Sequence, residues 1–252
     1  MDVLLKGKRA LVTGGMSNLG KVICTTLASE GVDVLFTYSS KEKGDKALLF
    51  CQELSTHYGI TSHPVYLDLN DAAHVEETVE QALNNTSLDI LINNAGIFTE
   101  SSQLDLKEEE WDKVMNVNVK GVWLMVKATQ PYLEKTRGVI VNISSMNAYR
   151  PGFGNTAHYD ASKGAVSAYT RSLAKELSES GIRVNAVAPG LISSPGLLEY
   201  ASELVDSYTS RAALHRLVDP LDIAHIVTFL SSPLSKAMTG EIVAAECGYG
   251  MM

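Results

Sequence analysis

Short runs of apolar, often β-branched residues recur along the chain. Each is followed by a longer stretch whose apolar positions return every three or four residues. Ala10-Leu11-Val12, Val32-Asp33-Val34-Leu35-Phe36, Val65-Tyr66-Leu67, Leu88-Asp89-Ile90-Leu91-Ile92, Val139-Ile140-Val141-Asn142-Ile143 and Ile182-Arg183-Val184-Asn185-Ala186-Val187 read as strands. Helices are expected up to Glu30 and over 42–58, 71–84, 107–131, 159–180 and 219–231, with a last strand near 241–245.

Strand-then-helix repeats of this kind specify a parallel sheet, because parallel neighbours need long crossovers and helices supply them. The strands are short and apolar throughout, as strands covered on both faces must be. The expected fold class is therefore α/β: a Rossmann-like, doubly wound parallel sheet of about seven strands with helices on both faces. No Pro-, Gly- or Ser-rich linker interrupts the pattern, so residues 1–252 read as a single domain. Ligands of such sheets bind beyond the carboxyl ends of the strands, where the strand order reverses.

Charge and cysteine content narrow the function. A net charge of −8 argues against a nucleic-acid partner. Three scattered cysteines, Cys24, Cys51 and Cys247, form no disulfide framework and suit a reducing cytoplasm. The six histidines include no HxxxH or HExxH spacing, so no metal is expected. No apolar run reaches membrane-spanning length, and a cytoplasmic location without a membrane partner is expected.

The candidate chemistry sits just past the strands. The first strand ends in Thr13-Gly14-Gly15-Met16-Ser17-Asn18-Leu19-Gly20, a glycine turn that brings backbone close to a pyrophosphate at a helix start. A plain tight turn with Asn18 as helix cap is the structural alternative. Gly15 to Lys21 also matches the start of a P-loop, but the hydroxyl that would hold magnesium is replaced by Val22. Tyr159 and Lys163 stand four apart, on one face of an expected helix. A cation there is expected to lower a phenol pKa that starts near ~10 and to fit the tyrosine for proton transfer. That spacing alone is a weak signal in a chain with ten tyrosines. It gains weight from Asn94-Ala95-Gly96, Ser144-Ser145 and Pro189-Gly190, which all fall on the same rim of the sheet.

In these motifs, together with Asn116-Val117-Asn118-Val119, the chain resembles the short-chain dehydrogenase/reductase family from Lys8 to Met251. The resemblance implies hydride transfer between NAD(P)(H) and a carbonyl or secondary alcohol. It implies a catalytic tetrad of Asn118, Ser145, Tyr159 and Lys163. Tyr159 would donate the proton in reduction and accept it in oxidation. Ser145 would bond the substrate oxygen, with Ser144 its rival on sequence alone. Lys163 would lower the Tyr159 pKa and hold the nicotinamide ribose, and Asn118 would order a proton-relaying water. Gly14, Ser17, Asn18, Leu19, Gly20, Tyr38, Ser39, Ser40, Asp68, Leu69, Asn94, Ala95, Gly96, Pro189, Gly190 and Ile192 would contact the cofactor, with Tyr159 and Lys163.

The chain departs from the family pattern at several points. Asn18 stands where glycine is usual, and asparagine tolerates a left-handed backbone there. Ala245-Glu246-Cys247-Gly248 replaces an aspartate followed by two glycines, and Ser194 replaces a threonine. The loop from Met146 to His158 is one residue longer than common. The second strand ends in Thr37-Tyr38-Ser39-Ser40 with no carboxylate before Glu42, and Lys41 and Lys43 follow. NADP(H) is therefore favoured, with NAD(H) the alternative. The overall pattern is most like 3-oxoacyl-[acyl-carrier-protein] reductases. The basic patch for an acidic carrier is weakened, with Ser180 and Thr136 at its two expected positions. An acyl thioester, with or without an acyl carrier protein partner, stands beside a small ketone, polyol or sugar-derived alcohol as substrate. A non-catalytic dinucleotide sensor is the alternative of another class. Residues 191–217 are expected to form a substrate lid, with Tyr149, Phe153 and His158 near the pocket. The family implies a homotetramer or dimer, packed through the helices near 107–131 and 159–180.

Overall fold

The structure is a computed structural model that describes residues 3–251. Seven strands form one parallel sheet in the order β3-β2-β1-β4-β5-β6-β7. They are β1 (Arg9–Val12), β2 (Asp33–Tyr38), β3 (Ser62–Tyr66), β4 (Ile90–Asn93), β5 (Val139–Ile143), β6 (Arg183–Pro189) and β7 (Ile242–Ala245). The helices are α1 (Asn18–Ser29), α2 (Gly44–Tyr58), α3 (Val75–Leu83), α4 (Glu108–Met115), α5 (Gly121–Glu134), α6 (Ala157–Glu176), α7 (Pro195–Tyr200), α8 (Ser202–Arg211) and α9 (Pro220–Ser231).

Side chains alternate across the pleat and build two cores. Ala10, Val12, Ile90, Ile92, Val139 and Val141 face one side, with Ile23, Leu27, Phe50, Ile223 and Val227 of α1, α2 and α9. Leu11, Leu91 and Ile140 face the other, with Val79, Met125, Leu133 and Leu173 of α3, α5 and α6. The unbroken apolar runs of the sequence are thus strands buried on both faces. The order reverses between β1 and β4, which opens a crevice at their carboxyl ends.

Three boundaries differ from expectation. β3 begins at Ser62 and carries Pro64, which an edge strand accommodates because one side of it makes no ladder bonds. The long helix near 107–131 is two helices joined by a π turn at Asn116–Lys120, and α5 continues through Pro131 to Glu134. The Tyr159 helix stops at Glu176 rather than near Ser180. Residues 191–217 carry α7 and α8. No helix of the described residues is long and apolar enough to cross a membrane.

Candidate active site

The crevice is built from the β1–α1 turn outward. Ser17 caps α1, its Oγ accepting from Gly20 N at 3.0 Å. Gly14 has φ +64°, and a Cβ there would lie 3.0 Å from the Ala95 Cα, so only glycine lets the turn pass beneath the β4 loop. Thr13, which the sequence reading did not single out, knots these segments together. Its Oγ1 accepts from Asn94 N at 3.0 Å and from Ala95 N at 2.9 Å. Asn94 Nδ2 returns bonds to the Thr13 and Gly14 carbonyls at 2.9 and 3.1 Å. Thr37 Oγ1 accepts from Gly14 N at 3.0 Å and ties the turn to the end of β2.

Asn18 does not adopt the left-handed backbone expected of it. It is the first residue of α1, and Ser17 rather than Asn18 is the cap. The side chain is free to reach across the crevice, where Nδ2 donates to Ser193 O at 3.1 Å.

Two cavities share Ser17, Asn94, Gly96 and Ile97 and form one groove. The first, about 240 Å³, is lined by Gly14, Ser17, Tyr38, Ser39, Asp68, Leu69, Asn94, Ala95 and Gly96 of the expected set. Met16, Thr37, Lys43 and Asn70 line it as well and were missed. The second, about 430 Å³, is lined by Ser17, Asn18, Leu19, Ser145, Tyr159, Lys163, Pro189, Gly190 and Ile192, with Phe98 and Ser194. Ser40 and Gly20 line neither cavity. Ser40 instead leads a short 3-10 turn at Lys41–Lys43, and Gly20 is buried against the Gly14 carbonyl, where a Cβ would collide. Asp68 keeps one carboxylate oxygen on Asn70 N at 2.9 Å.

The two serines after β5 both line the second cavity and differ in where their hydroxyls are bonded. Ser144 Oγ turns into α6, 2.7 Å from Ser167 Oγ and bonded to Lys163 O at 3.2 Å. Ser145 lines the groove beside Tyr159, its Oγ accepting from Asn147 N at 3.2 Å, and its hydroxyl works to lower the Tyr159 pKa. Asn118 also lines neither cavity. It sits in the π turn, 1% exposed, its Oδ1 accepting from Ile97 N at 2.8 Å and its Nδ2 donating to Ile97 O and Ser162 Oγ, each at 3.0 Å. A Cβ on Gly96 would lie 3.3 Å from Asn118 Oδ1 and 3.4 Å from Lys163 Nζ, which places those two atoms together behind the groove.

Lys163 does not do to Tyr159 what the spacing predicts. Its Nζ donates to Ile143 O at 2.9 Å and lies 5.7 Å from the centre of the Tyr159 ring. Tyr159 shows a face to the cavity, yet protein atoms crowd its hydroxyl. Desolvation pushes its pKa up to about 12 against the lowering influence of the neighbouring Ser145 hydroxyl, and nearby Asp160 raises it further. Lys163 moves the other way, to about 8, because its ammonium is buried. Tyr149, Phe153 and His158 line neither cavity. His158 is fully buried with Nε2 2.7 Å from Thr99 Oγ1, and Tyr149 donates to Glu246. Asp160 holds the long loop by accepting from Asn147 Nδ2 at 2.6 Å and Gly152 N at 3.0 Å.

Known proteins place this geometry. A family model described as enoyl-(acyl carrier protein) reductase matches residues 14–250. A 3-oxoacyl-[acyl-carrier-protein] reductase of Thermotoga maritima is 36% identical over 97% of this chain and 98% of its own. The crystal structure of a blue fluorescent protein from a metagenomic library, in complex with NADPH, superposes with a TM-score of 0.90 at 34% identity, covering 97% of this chain and 98% of that one. A putative NAD(P)-dependent gluconate 5-dehydrogenase from Beutenbergia cavernae, with bound NADP, superposes with a TM-score of 0.92 at 29% identity over all of both chains. With a likeness that runs through both the strand order and nearly the whole sequence, the chain belongs to the short-chain dehydrogenase/reductase family of nicotinamide-dependent oxidoreductases.

Proposed function

We propose that the protein is an NADPH-preferring ketoreductase acting on 3-oxoacyl thioesters, with Asn118, Ser145, Tyr159 and Lys163 as its working residues. The observation that carries this reading is that Ser145, Tyr159 and Lys163 line one wall of a cavity continuous with the glycine turn. Two hydroxyls on that wall can bond one substrate oxygen together.

The groove fits a dinucleotide. Its floor at Gly14 is backbone that no side chain could replace, and it opens at the start of α1, where amide groups favour an anion. Gly14, Ser17, Asn18 and Leu19 would hold the pyrophosphate, Asp68 and Leu69 the adenine, Asn94 to Gly96 the ribose side, and Pro189, Gly190 and Ile192 the nicotinamide. Ser39 and Lys43 line the cavity at the end of β2 and would receive a 2′-phosphate. When bound, the nicotinamide supplies the hydride.

The remaining steps belong to the chain. Ser145 Oγ bonds the carbonyl oxygen and Tyr159 passes it a proton. The proton is available because the phenol stays protonated well past neutral pH. Lys163, an ammonium below its pKa of about 8, places positive charge beside the cofactor and keeps the base of the site in register through Ile143 O. Asn118 holds the Ile97 segment and α6 at a fixed distance and is a positioning residue. The Phe98 ring stands edge-on to Tyr159 at 5.0 Å, 55% exposed, and would be covered when substrate enters. Residues 191–217 would close over it as a lid.

One observation favours a second substrate class. Ser180, at a position where carrier-binding members have a cation, hydrogen-bonds the Glu134 carboxylate at 3.3 Å. An acidic carrier meets an acid there, which suits a small ketone, polyol or sugar-derived alcohol. The test is a panel that includes an acetoacetyl thioester, small ketones and sugar alcohols, assayed with NADPH and NADH. Reduction of the thioester with NADPH supports the first reading, and turnover only of unthioesterified ketones or alcohols supports the second. The Tyr159→Phe protein should bind NADPH yet lose at least about a hundredfold in kcat. Unchanged turnover by that variant would overturn the assigned mechanism, whereas wild type that binds NADPH and turns over no member of the panel would favour the dinucleotide-sensor class.

A further inference from the structure

A small third core lies apart from the two that flank the sheet. Met146, Tyr208, Ala212 and Tyr249 pack together, with Leu191, Leu217 and Cys247 against them. Met146 directly follows Ser145, Tyr208 belongs to α8, and Tyr249 lies in the turn after β7. The Tyr208 and Tyr249 rings stack 4.7 Å apart and within 3° of parallel. This cluster therefore joins three segments: the turn that carries Ser145, helix α8, and the C-terminal turn.

Glu246 is the polar tie within it. The residue is 9% exposed, and each of its three oxygens is used. Oε2 accepts from the Tyr149 hydroxyl at 3.0 Å, Oε1 from Gly250 N at 2.7 Å, and the backbone carbonyl from the Tyr208 hydroxyl at 2.6 Å. A carboxylate so deeply placed is costly unless bonded, and here it holds the loop after Ser145 to the C-terminal turn while the backbone carbonyl of the same residue holds α8. Tyr149 comes from the long loop after Ser145, and Tyr208 from α8. The link also reaches the groove through its neighbour, because Gly190 N donates to Ala245 O at 3.0 Å.

We propose that Glu246 is a positioning residue for the carbonyl substrate, clamping α8 and the Ser145 turn together and so setting the width of the substrate end of the groove. The proposal rests on the assignment of Ser145 and Tyr159 given above. The glycine turn is braced separately, by Thr13, Thr37 and Asn94, so the clamp leaves the pyrophosphate end of the groove, which supplies most of the cofactor's hold, untouched.

The experiment measures KM and kcat for an accepted carbonyl, with NADPH affinity by fluorescence titration. Glu246→Ala and Tyr149→Phe should each raise the carbonyl KM about five- to tenfold, with kcat and NADPH affinity within about twofold of wild type. The double variant should be no worse than Glu246→Ala alone, because the Tyr149–Glu246 bond that Tyr149→Phe removes is already gone in Glu246→Ala. Glu246→Gln should restore a near-wild-type KM, since its amide can donate to the Tyr149 oxygen while its carbonyl takes Gly250 N. A merely structural role would lower the melting temperature or the active fraction, and hence kcat, without moving KM. A wild-type KM in Tyr149→Phe, or fully additive effects in the double variant, overturns the proposal. Tyr149→Phe keeps the ring at a half-exposed site and decides the matter even where Glu246→Ala does not fold. Loss of activity in Tyr159→Phe alongside wild-type KM values in the clamp variants would sink this inference and leave the ketoreductase reading intact.

Discussion

Replacing Lys163 with methionine should abolish catalysis and yet stabilise the protein at neutral pH. The side chain is 5% exposed, and burial brings its pKa from 10.5 to about 8. At about 1.36 kcal/mol per unit, keeping the ammonium inside the fold at pH 7 costs about 3 kcal/mol relative to an unfolded chain. Methionine is close in volume and carries no charge, so it removes that cost. It also leaves the Ile143 carbonyl without its 2.9 Å donor, a loss of about 1–2 kcal/mol. The net gain of about 1–2 kcal/mol corresponds to a melting temperature higher by about 2–6 °C for a chain of this size.

The pH dependence isolates the charge from the lost hydrogen bond. Because the folded-state pKa lies below the unfolded one, the unfolded chain binds more protons between about pH 8 and 10.5. Wild type therefore gains stability as pH rises through that window and loses it as pH falls through 8, whereas Lys163→Met gains nothing from this site. The difference between the two proteins should move by about 2 kcal/mol in favour of wild type between pH 7 and 9.5. Tyr159 is common to both, and its ionisation, delayed by burial to about 12, lies beyond the range. The assay is thermal unfolding of both proteins without cofactor, at one fixed concentration, across pH 7–9.5. A melting-temperature difference that stays constant with pH would refute the reasoning, since it would mean that the ammonium is not desolvated.

Two other outcomes follow from surface features. Lys43→Ala should raise the KM for NADPH about fivefold or more and leave that for NADH unchanged, because Lys43 lines the cavity at the end of β2 where only a 2′-phosphate would need it. Equal effects on both cofactors in steady-state assays would assign the lysine to the shared part of the dinucleotide. Trp111 on α4 and Trp123 on α5 are 40% and 46% exposed, more than large aromatics need be unless another copy covers them. Sedimentation should find a dimer or tetramer, dissociated by Trp123→Glu; a wild-type monomer at micromolar concentration would contradict this.

The sheet was legible because its physics is local in sequence. Apolar runs such as Val139–Ile143 can be covered only on both faces, and alternating helices leave one topology. The rim motifs were legible for the same reason: each follows its strand directly. What escaped the sequence depends on contacts between distant segments. Thr13 looked like a strand end, and its role appears only where the β4 loop folds back onto its hydroxyl. Ser144 and Ser145 are adjacent and chemically alike, and only the fold shows that the Ser144 hydroxyl is spent on α6 while both residues line the groove. Asn18 was read for its backbone tolerance, but the turn needs glycine at Gly14 and uses the Asn18 side chain to span the crevice. Phe98 carries no motif, and Glu246 entered the sequence reading only as part of a departure from one.

The largest departure concerns Tyr159 and Lys163, and it changes what the pair does. Spacing along a helix places a cation beside a phenol and predicts an easier ionisation. That argument holds where both groups are solvated. Here desolvation acts on both and favours the uncharged form of each, raising one pKa and lowering the other. In water the phenol would ionise slightly before the ammonium. In this site the order is inverted: the ammonium gives up its proton first, near 8, and the phenol last, near 12. The resting pair at neutral pH is then a protonated tyrosine and a protonated lysine, and raising the pH yields a neutral amine long before a phenolate. At neutral pH the free site therefore holds the tyrosine in its proton-bearing form. On the proposed roles it suits carbonyl reduction, in which Tyr159 must hold its proton until the substrate oxygen becomes basic enough to take it. Alcohol oxidation would need Tyr159 to begin as a base, which requires interactions with bound ligand strong enough to reverse the inversion.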